Sequence, residues 1–206
     1  MLQALRVFVR SVVQFERYGS RYVLANILTV ALCLPVITAP AAFAALSRFS
    51  HTAQTSLTVD FDDYWSGFRA HFGRGVIVGL ANAVFLGMLW INFTGYGDQR
   101  GPGVLALRAA WGIALVMWMA VQFYLWPILE EMEHPTLYGA IRNAAVMLFL
   151  NPVFTLTLLI LAAVIIALSA ITFVPLMLIA FSVVACLSNA AVLDRLERFR
   201  SQRTSS

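Results

Sequence analysis

The chain has 206 residues, of which 61% are hydrophobic and only 12% are charged, with a net charge of +4. This balance excludes an ordinary soluble domain and is typical of integral membrane proteins. All 14 basic residues are arginines that flank apolar runs, which favours membrane anchoring over nucleic-acid binding. Both cysteines fall in apolar runs, so a disulfide framework is not indicated.

Residues 1–21 are predicted to form a basic amphipathic helix that lies on an anionic membrane surface. Apolar residues recur at helical spacing, with arginines between and beyond them: Leu2, Leu5, Val9 and Val12, with Arg6, Arg10, Arg17 and Arg21. The alternative is a loosely ordered cytoplasmic tail.

Residues 22–47 form an uncharged segment that is broken by proline. Pro35, Thr38 and Pro40 lie in its middle, where proline removes a backbone donor and clashes with the preceding turn. The segment is therefore one kinked crossing, a hairpin or re-entrant pair, or a signal peptide with a cleavage site at residues 42–44. Broken helices commonly frame a binding site in transporters, so Asn26 and Thr38 could line a polar pocket. The competing interpretation is a packed kink in which Thr38 bonds a freed carbonyl.

Residues 60–73 are predicted to form an interfacial amphipathic helix with an aromatic face. The aromatic residues Phe61, Trp65, Phe68 and Phe72 recur at helical spacing and share one side of the helix. Together with Arg69, they are the candidates for contact with the interface or with a partner protein. The acidic residues that open this segment are better explained as helix-capping groups than as metal ligands.

Two crossings are predicted at residues 75–97 and 109–129, joined by a short loop that contains a Gly-Pro-Gly turn. Glu130 and His134 follow at helical spacing, which would place a carboxylate and an imidazole on one side of a helix. They do not form the H-E-x-x-H motif and have no third ligand, so no metal site is predicted. We interpret this segment as a solvated acidic helix end.

The segment from residue 143 to 193 contains no Asp, Glu, Lys, Arg or His. A bilayer core takes about 20 apolar residues per helix, so this segment holds two crossings, predicted at 152–168 and 172–191. An amphipathic helix over 136–150 precedes them, and a basic tail over 194–206 follows.

The sequence thus predicts a single membrane domain over residues 1–206. Its fold class is all-α: a polytopic transmembrane helical bundle with interfacial amphipathic helices. Four clear crossings lie within residues 75–193, and a proline-broken helix or hairpin precedes them.

The distribution of arginine favours a hairpin at residues 22–47. If this segment turns back on itself, all arginines except Arg100 and Arg108 fall on the side of both termini. A single crossing would divide them almost evenly. The positive-inside rule therefore predicts the hairpin, with both termini cytoplasmic. Each arm has only about 17 residues, short of a full span, which favours a thinned or re-entrant hairpin.

Four motifs follow one another along the chain. They are Asn26 with Leu34-Pro35-Val36-Ile37-Thr38-Ala39-Pro40-Ala41, the aromatic segment 61–72, Tyr-Leu-Trp-Pro-Ile-Leu at 124–129, and the run from Ala140 to Pro152. In order and spacing they resemble the YesL-like family of bacterial integral membrane proteins over residues 15–190. Ala39 departs from the family's usual glycine, and the acidic pair Glu130-Glu131 departs from its small or basic residues.

The resemblance implies a place in the cell but no reaction. The family has no established biochemical activity, and its members are often encoded near carbohydrate-uptake and sensor systems. It therefore implies a protein of the bacterial inner or plasma membrane that is accessory to, or part of, a transport system. A scaffold or signalling partner without transport activity is the alternative. No enzyme is predicted, because no ionisable residue falls inside a predicted crossing. No cofactor is predicted either.

Overall fold

A computed structural model describes residues 2–56, 58–95 and 101–204 of the chain. These residues form eight α-helices and one π-helical turn, and there is no strand among them. The helices are α1 (Leu2–Arg17), α2 (Gly19–Cys33), α3 (Ala39–Thr55), α4 (Phe61–Gly95), α5 (Pro102–Glu131), α6 (Leu137–Leu150), α7 (Pro152–Thr172) and α8 (Phe181–Thr204), with the π-turn at Leu176–Ala180. The all-α prediction is confirmed.

Four helical segments are long and apolar enough to cross a bilayer. They are Phe61–Gly95, Pro102–Glu131, Pro152–Thr172 and Leu176–Gln202. The shortest has 21 residues, and a bilayer core requires about 20, because each helix must bond its own backbone polar groups. The protein is therefore an integral membrane protein. The loop predicted between the first two crossings includes residues 96–100, which lie outside the described residues.

The proline-broken segment is a helical hairpin. α2 ends at Cys33 and α3 begins at Ala39. The Tyr22 hydroxyl at the start of α2 lies 3.3 Å from the Ser50 hydroxyl late in α3, so the two helices run antiparallel. Pro40 occupies the first turn of α3, where its missing N–H is tolerated because that donor has no helical partner.

α4 joins two segments that the sequence predicts to be separate helices. Residues 60–73 were expected to form their own interfacial helix, but all except Asp60 are the opening turns of a helix that continues to Gly95. The structure differs from this prediction because Gly73 and Gly75 do not end the helix. A glycine inside a helix lowers its stability by only about 1 kcal/mol relative to alanine. Gly75 is buried in the contact with α3.

Small residues bring α3 and α4 into close contact. A Cβ at Gly75 would lie 2.8 Å from the backbone nitrogen of Ala41, and one at Gly79 would lie 3.2 Å from the ring of Pro40. Close backbone approach at small residues is the usual way in which helices pack in lipid. The turn before α3 therefore lies beside the middle of α4, which continues for about 24 Å beyond Gly79.

α6 is the amphipathic helix expected at residues 136–150. The Thr136 hydroxyl accepts the Gly139 N–H at 3.2 Å and so caps the helix. Asn151 and Pro152 end this helix and begin α7. With a length of about 21 Å, α6 is shorter than the core of a bilayer.

α1 packs along the C-terminal half of α8. Ala4 and Val7 are buried in the same core as Leu187, and Arg10 lies 3.7 Å from Glu197. The two terminal helices therefore meet at one end of the bundle. The basic tail expected at residues 194–206 is not a separate segment, because α8 continues through it to Thr204.

Candidate functional site

The turn between α2 and α3 presents an apolar tip. Leu34, Val36 and Ile37 are 80%, 78% and 60% exposed. The turn nevertheless bonds its own backbone, because the N–H groups of Leu34, Val36 and Ala39 each donate to the carbonyl three residues earlier. Irregular backbone in lipid requires such bonds, and the apolar side chains avoid placing polar groups there. This geometry suits a re-entrant hairpin.

Thr38 stabilises the turn from within. Its hydroxyl donates to the carbonyl of Leu32. The α-helical partner of that carbonyl would be the Val36 N–H, which donates to Cys33 instead. Thr38 thus bonds a carbonyl that the break beside Pro35 leaves without a helical donor.

Asn26 is fully buried on the side of α2 that faces α8. Its amide nitrogen donates to the carbonyls of Leu176 and Met177, at 3.0 and 2.7 Å, and its amide oxygen accepts the Ser182 N–H at 2.9 Å. A π-turn leaves backbone groups without regular partners, and such turns are frequent at functional sites. Asn26 bonds two carbonyls of this turn and the N–H of Ser182 in α8. Asn26 and Thr38 therefore have separate partners.

A buried polar seam leads from this π-turn to the end of the bundle where the termini meet. It consists of Asn26, Ser182, Tyr22, Ser50 and Gln54. The Ser182 hydroxyl donates to the Tyr22 carbonyl at 2.8 Å, and Gln54 donates to the Ser50 hydroxyl at 3.2 Å. Hydrogen bonds of this kind between helices stabilise a bundle in lipid, so the polar seam ties α2 and α3 to α8.

Glu130, at the end of α5, is held by side chains from two other helices. Its carboxylate lies 2.7 Å from Nε2 of His71 on α4 and 3.9 Å from Nη1 of Arg48 on α3. The side chains of Glu130 and Glu131 are only 12% and 16% exposed, so this segment is not the solvated acidic end expected from the sequence. The glutamates are shielded from solvent by tertiary contacts, because their partners come from distant parts of the chain.

Glu131 has a matching pair of partners. It lies 2.8 Å from Nε2 of His51 on α3 and 3.4 Å from Nη2 of Arg200 on α8. Two successive glutamates thus fasten the end of α5 to α3, α4 and α8. His134 is exposed, and within the described residues no three His, Cys, Asp or Glu side chains are grouped as metal ligands.

A charged cleft of about 330 Å³ opens beside Glu131, at the end of the bundle where the termini meet. Its charged and amide side chains come from the ends of α1, α3, α5 and α8: Arg10, Gln14, Gln54, Glu131, Glu197 and Arg200. The ion pairs Arg10–Glu197 and Arg200–Glu131 have N–O distances of 3.7 and 3.4 Å. In the Arg10–Glu197 pair both side chains are exposed, and such a pair contributes about 0–1 kcal/mol, so a bound partner can replace it at little cost.

A second cavity, of about 500 Å³, lies between α5, α6 and α7. Only apolar residues, glycine and proline line it, Gly112, Met117 and Phe149 among them. With no polar group to orient a solute, this groove suits lipid chains rather than a hydrophilic substrate.

The aromatic residues at the start of α4 do not form its buried face. Phe61, Trp65 and Phe72 are each more than a third exposed, Phe68 is half-buried and Arg69 is exposed. The buried face instead consists of Tyr64, Gly67, His71, Gly75 and Val78. Exposed aromatics beside arginine suit the headgroup region or a partner protein.

The acidic residues that precede this aromatic face cap the helix. The Asp63 carboxylate accepts the Asp60 N–H at 3.0 Å, which satisfies a donor at the start of α4. This is the capping role expected for the acidic residues.

Neither histidine–glutamate pair is predicted from the sequence. His51 and Glu131 are 80 residues apart, and His71 and Glu130 are 59 residues apart. One local signal was present: His71 lies four residues from both Gly67 and Gly75, and a stripe of that spacing marks a close helix contact.

No protein-family model matches the chain, and neither a curated protein nor a solved structure matches it. The resemblance to the YesL-like family therefore stays a prediction that rests on the four sequence motifs.

Proposed function

We propose that this integral membrane protein is an accessory subunit of a transport system, and that it holds a partner protein at the charged cleft. The observation that carries the proposal is the cleft itself. The ends of four helices form it, and it combines both signs of charge with amide groups. Complementary charges give specificity and fast association at protein interfaces, so the cleft suits a charged segment of a partner.

Binding is better supported than conduction. The charged cleft lies at one end of the bundle, whereas the groove between α5, α6 and α7 is apolar. The polar seam of α2, α3 and α8 is packed, and its members bond one another rather than enclose a path. In this proposal the protein binds and positions a partner and carries out no catalytic step.

The YesL-like resemblance is what implies a transport system, and it implies carbohydrates as the class of substrate. The positive-inside rule places the arginine-rich end, and with it the charged cleft, in the cytoplasm. The partner would then be a cytoplasmic or membrane subunit of an uptake system. A sensor protein as the partner would favour the scaffold alternative.

Site-specific photocrosslinking in native membranes tests the proposal. A photoreactive residue at Thr55, which lines the charged cleft, should capture a transport-system subunit; one at Leu80, exposed on α4, supplies the matched control. Arg10→Glu should reduce capture at Thr55, because it reverses a charge of the cleft. Capture of the same proteins at both positions, or of none at Thr55, would refute the docking role.

A further inference from the structure

His71 is buried and has a different partner on each ring nitrogen. Nε2 lies 2.7 Å from Oε1 of Glu130, and Nδ1 lies 3.3 Å from Nη1 of Arg74. Arginine stays protonated in proteins and can only donate. Nδ1 must therefore accept, and the proton of the neutral ring is on Nε2, where it is donated to Glu130. The contacts thus select one neutral tautomer of His71.

Arg74 joins this histidine to the connector between α5 and α6, residues 132–136. Its Nη2 donates to the carbonyl of Pro135 at 2.9 Å. The connector is neither helix nor strand, so it depends on side-chain bonds of this kind for its position. One guanidinium therefore contacts both the His71 ring and the connector.

We propose that His71 and Arg74 form a pH-dependent latch that holds the α5–α6 connector. A proton added at Nδ1 would make that nitrogen a donor that faces the N–H groups of Arg74. The two donors repel, so the guanidinium turns away and its bond to Pro135 is lost. Nε2 of the protonated ring still donates to Glu130, so the α4–α5 contact persists. Acid therefore releases the connector while the helices stay joined.

Charged groups surround His71 from three helices. Glu130 of α5 lies at Nε2, Arg74 of α4 lies at Nδ1, and Arg48 of α3 lies 3.9 Å from the same Glu130 carboxylate. Trp126 of α5 contributes an uncharged ring, with its centroid 5.9 Å from the imidazole. Histidine is the side chain whose ordinary charge change falls between about pH 5 and pH 8.

His51 provides a control within the same molecule. Its Nε2 lies 2.8 Å from Oε1 of Glu131. The arginine that bonds the connector, Arg74, contacts the His71 ring instead. His51 is therefore not part of the latch, although its partner Glu131 is the residue next to Glu130.

Hydrogen–deuterium exchange of the full-length protein in nanodiscs tests the latch, with rates corrected for intrinsic exchange at each pH. Between about pH 8 and pH 5, protection of the Gly139 and Ala140 amides should fall about tenfold, as expected for one lost charge-assisted hydrogen bond. These two N–H groups donate to Thr136, the last residue of the connector, so they report on its position. His71→Gln should abolish this response, because glutamine can donate to Glu130 and accept from Arg74 at any pH. His51→Gln should keep it, and Arg74→Leu should lack protection at both extremes.

A pH response that survives in His71→Gln, or an absent response in the unaltered protein, would overturn the proposal. Nitrogen NMR of the imidazoles in the unaltered protein gives a measurement that needs no variant. Near pH 8 it should show His71 protonated on Nε2 only, and protonation on Nδ1 would overturn the assignment of donors. Neither measurement depends on what occupies the charged cleft, so the latch and the proposed function can fail separately.

Discussion

Gly75→Ala tests whether the hairpin lies against α4 as closely as the structure shows. The added Cβ would lie 2.8 Å from the backbone nitrogen of Ala41 and 2.9 Å from its Cα. Real Cβ atoms essentially never approach another atom within 3.0 Å. The obstacle is the backbone of α3, which cannot rotate away as a long side chain could, so the helices must move apart.

The magnitude follows from two opposing effects. Overpacking of a close contact costs about 1–3 kcal/mol. Alanine also gains about 1 kcal/mol over glycine through its helix propensity, which offsets part of that cost. Gly73→Ala is the matched control, because a Cβ there meets no atom within 4 Å. The difference in unfolding free energy between the two variants should therefore be about 1–3 kcal/mol, since both share the propensity gain.

Thermal unfolding of the two variants in the same detergent measures this difference. Gly73→Ala should unfold at or above the temperature of the unaltered protein, and Gly75→Ala below it. A longer side chain at the same position, Gly75→Leu, should enlarge the loss. Equal unfolding temperatures for the two alanine variants would mean that α3 does not touch α4 at Gly75. The placement of the hairpin turn beside the middle of α4 would then be refuted.

Three further predictions concern the tip of the hairpin, the buried face of α4 and the chain termini. A cysteine at Ile37, in a chain without its native cysteines, should resist an impermeant maleimide from either side and react only after the protein is unfolded, because the thiolate that attacks maleimide does not form in lipid. Reaction with the impermeant reagent would place the tip in water. Tyr64→Ala should cost about 3–5 kcal/mol and Trp65→Ala clearly less, because Tyr64 is fully buried and Trp65 is 41% exposed; the reverse order would contradict the orientation of α4. Reporters fused at residues 1 and 206 should both report the cytoplasmic side, and opposite sides would exclude the hairpin.

Apolar runs and prolines predict most of this fold, because a bilayer leaves the chain few options. Backbone groups in lipid must be bonded within a helix, so an uncharged run of about 20 residues specifies a crossing. The break between Pro35 and Pro40 specifies a turn for the same reason, since proline cannot supply the helical bond. The arginine distribution then separates a hairpin from a single crossing. The first two inferences use only local sequence, and the third uses the positions of arginine along the whole chain.

Contacts between distant segments could not be predicted in the same way. Gly75 resembles a helix breaker in sequence, and only the approach of α3 shows why a residue without a Cβ lies there inside a helix. Glu130 and Glu131 resemble a solvated helix end until His71 and His51 are brought to them from other helices. A single sequence records neither partner, because the pairing is set by packing.

The same contacts indicate which part of the protein can respond to a signal. The first arm of the hairpin is tied to α8 by Asn26, whose replacement would leave three backbone groups of the π-turn and its surroundings without a partner. The second arm is held to α4 by glycine contacts that allow no added atom. A gating motion of the hairpin would therefore leave several backbone groups without a hydrogen bond, and each such group would raise the free energy by about 1–3 kcal/mol. The charged end is different, because its Arg10–Glu197 pair is exposed and can exchange at little cost. Response to a partner is therefore expected at the charged end, while the hairpin stays in place.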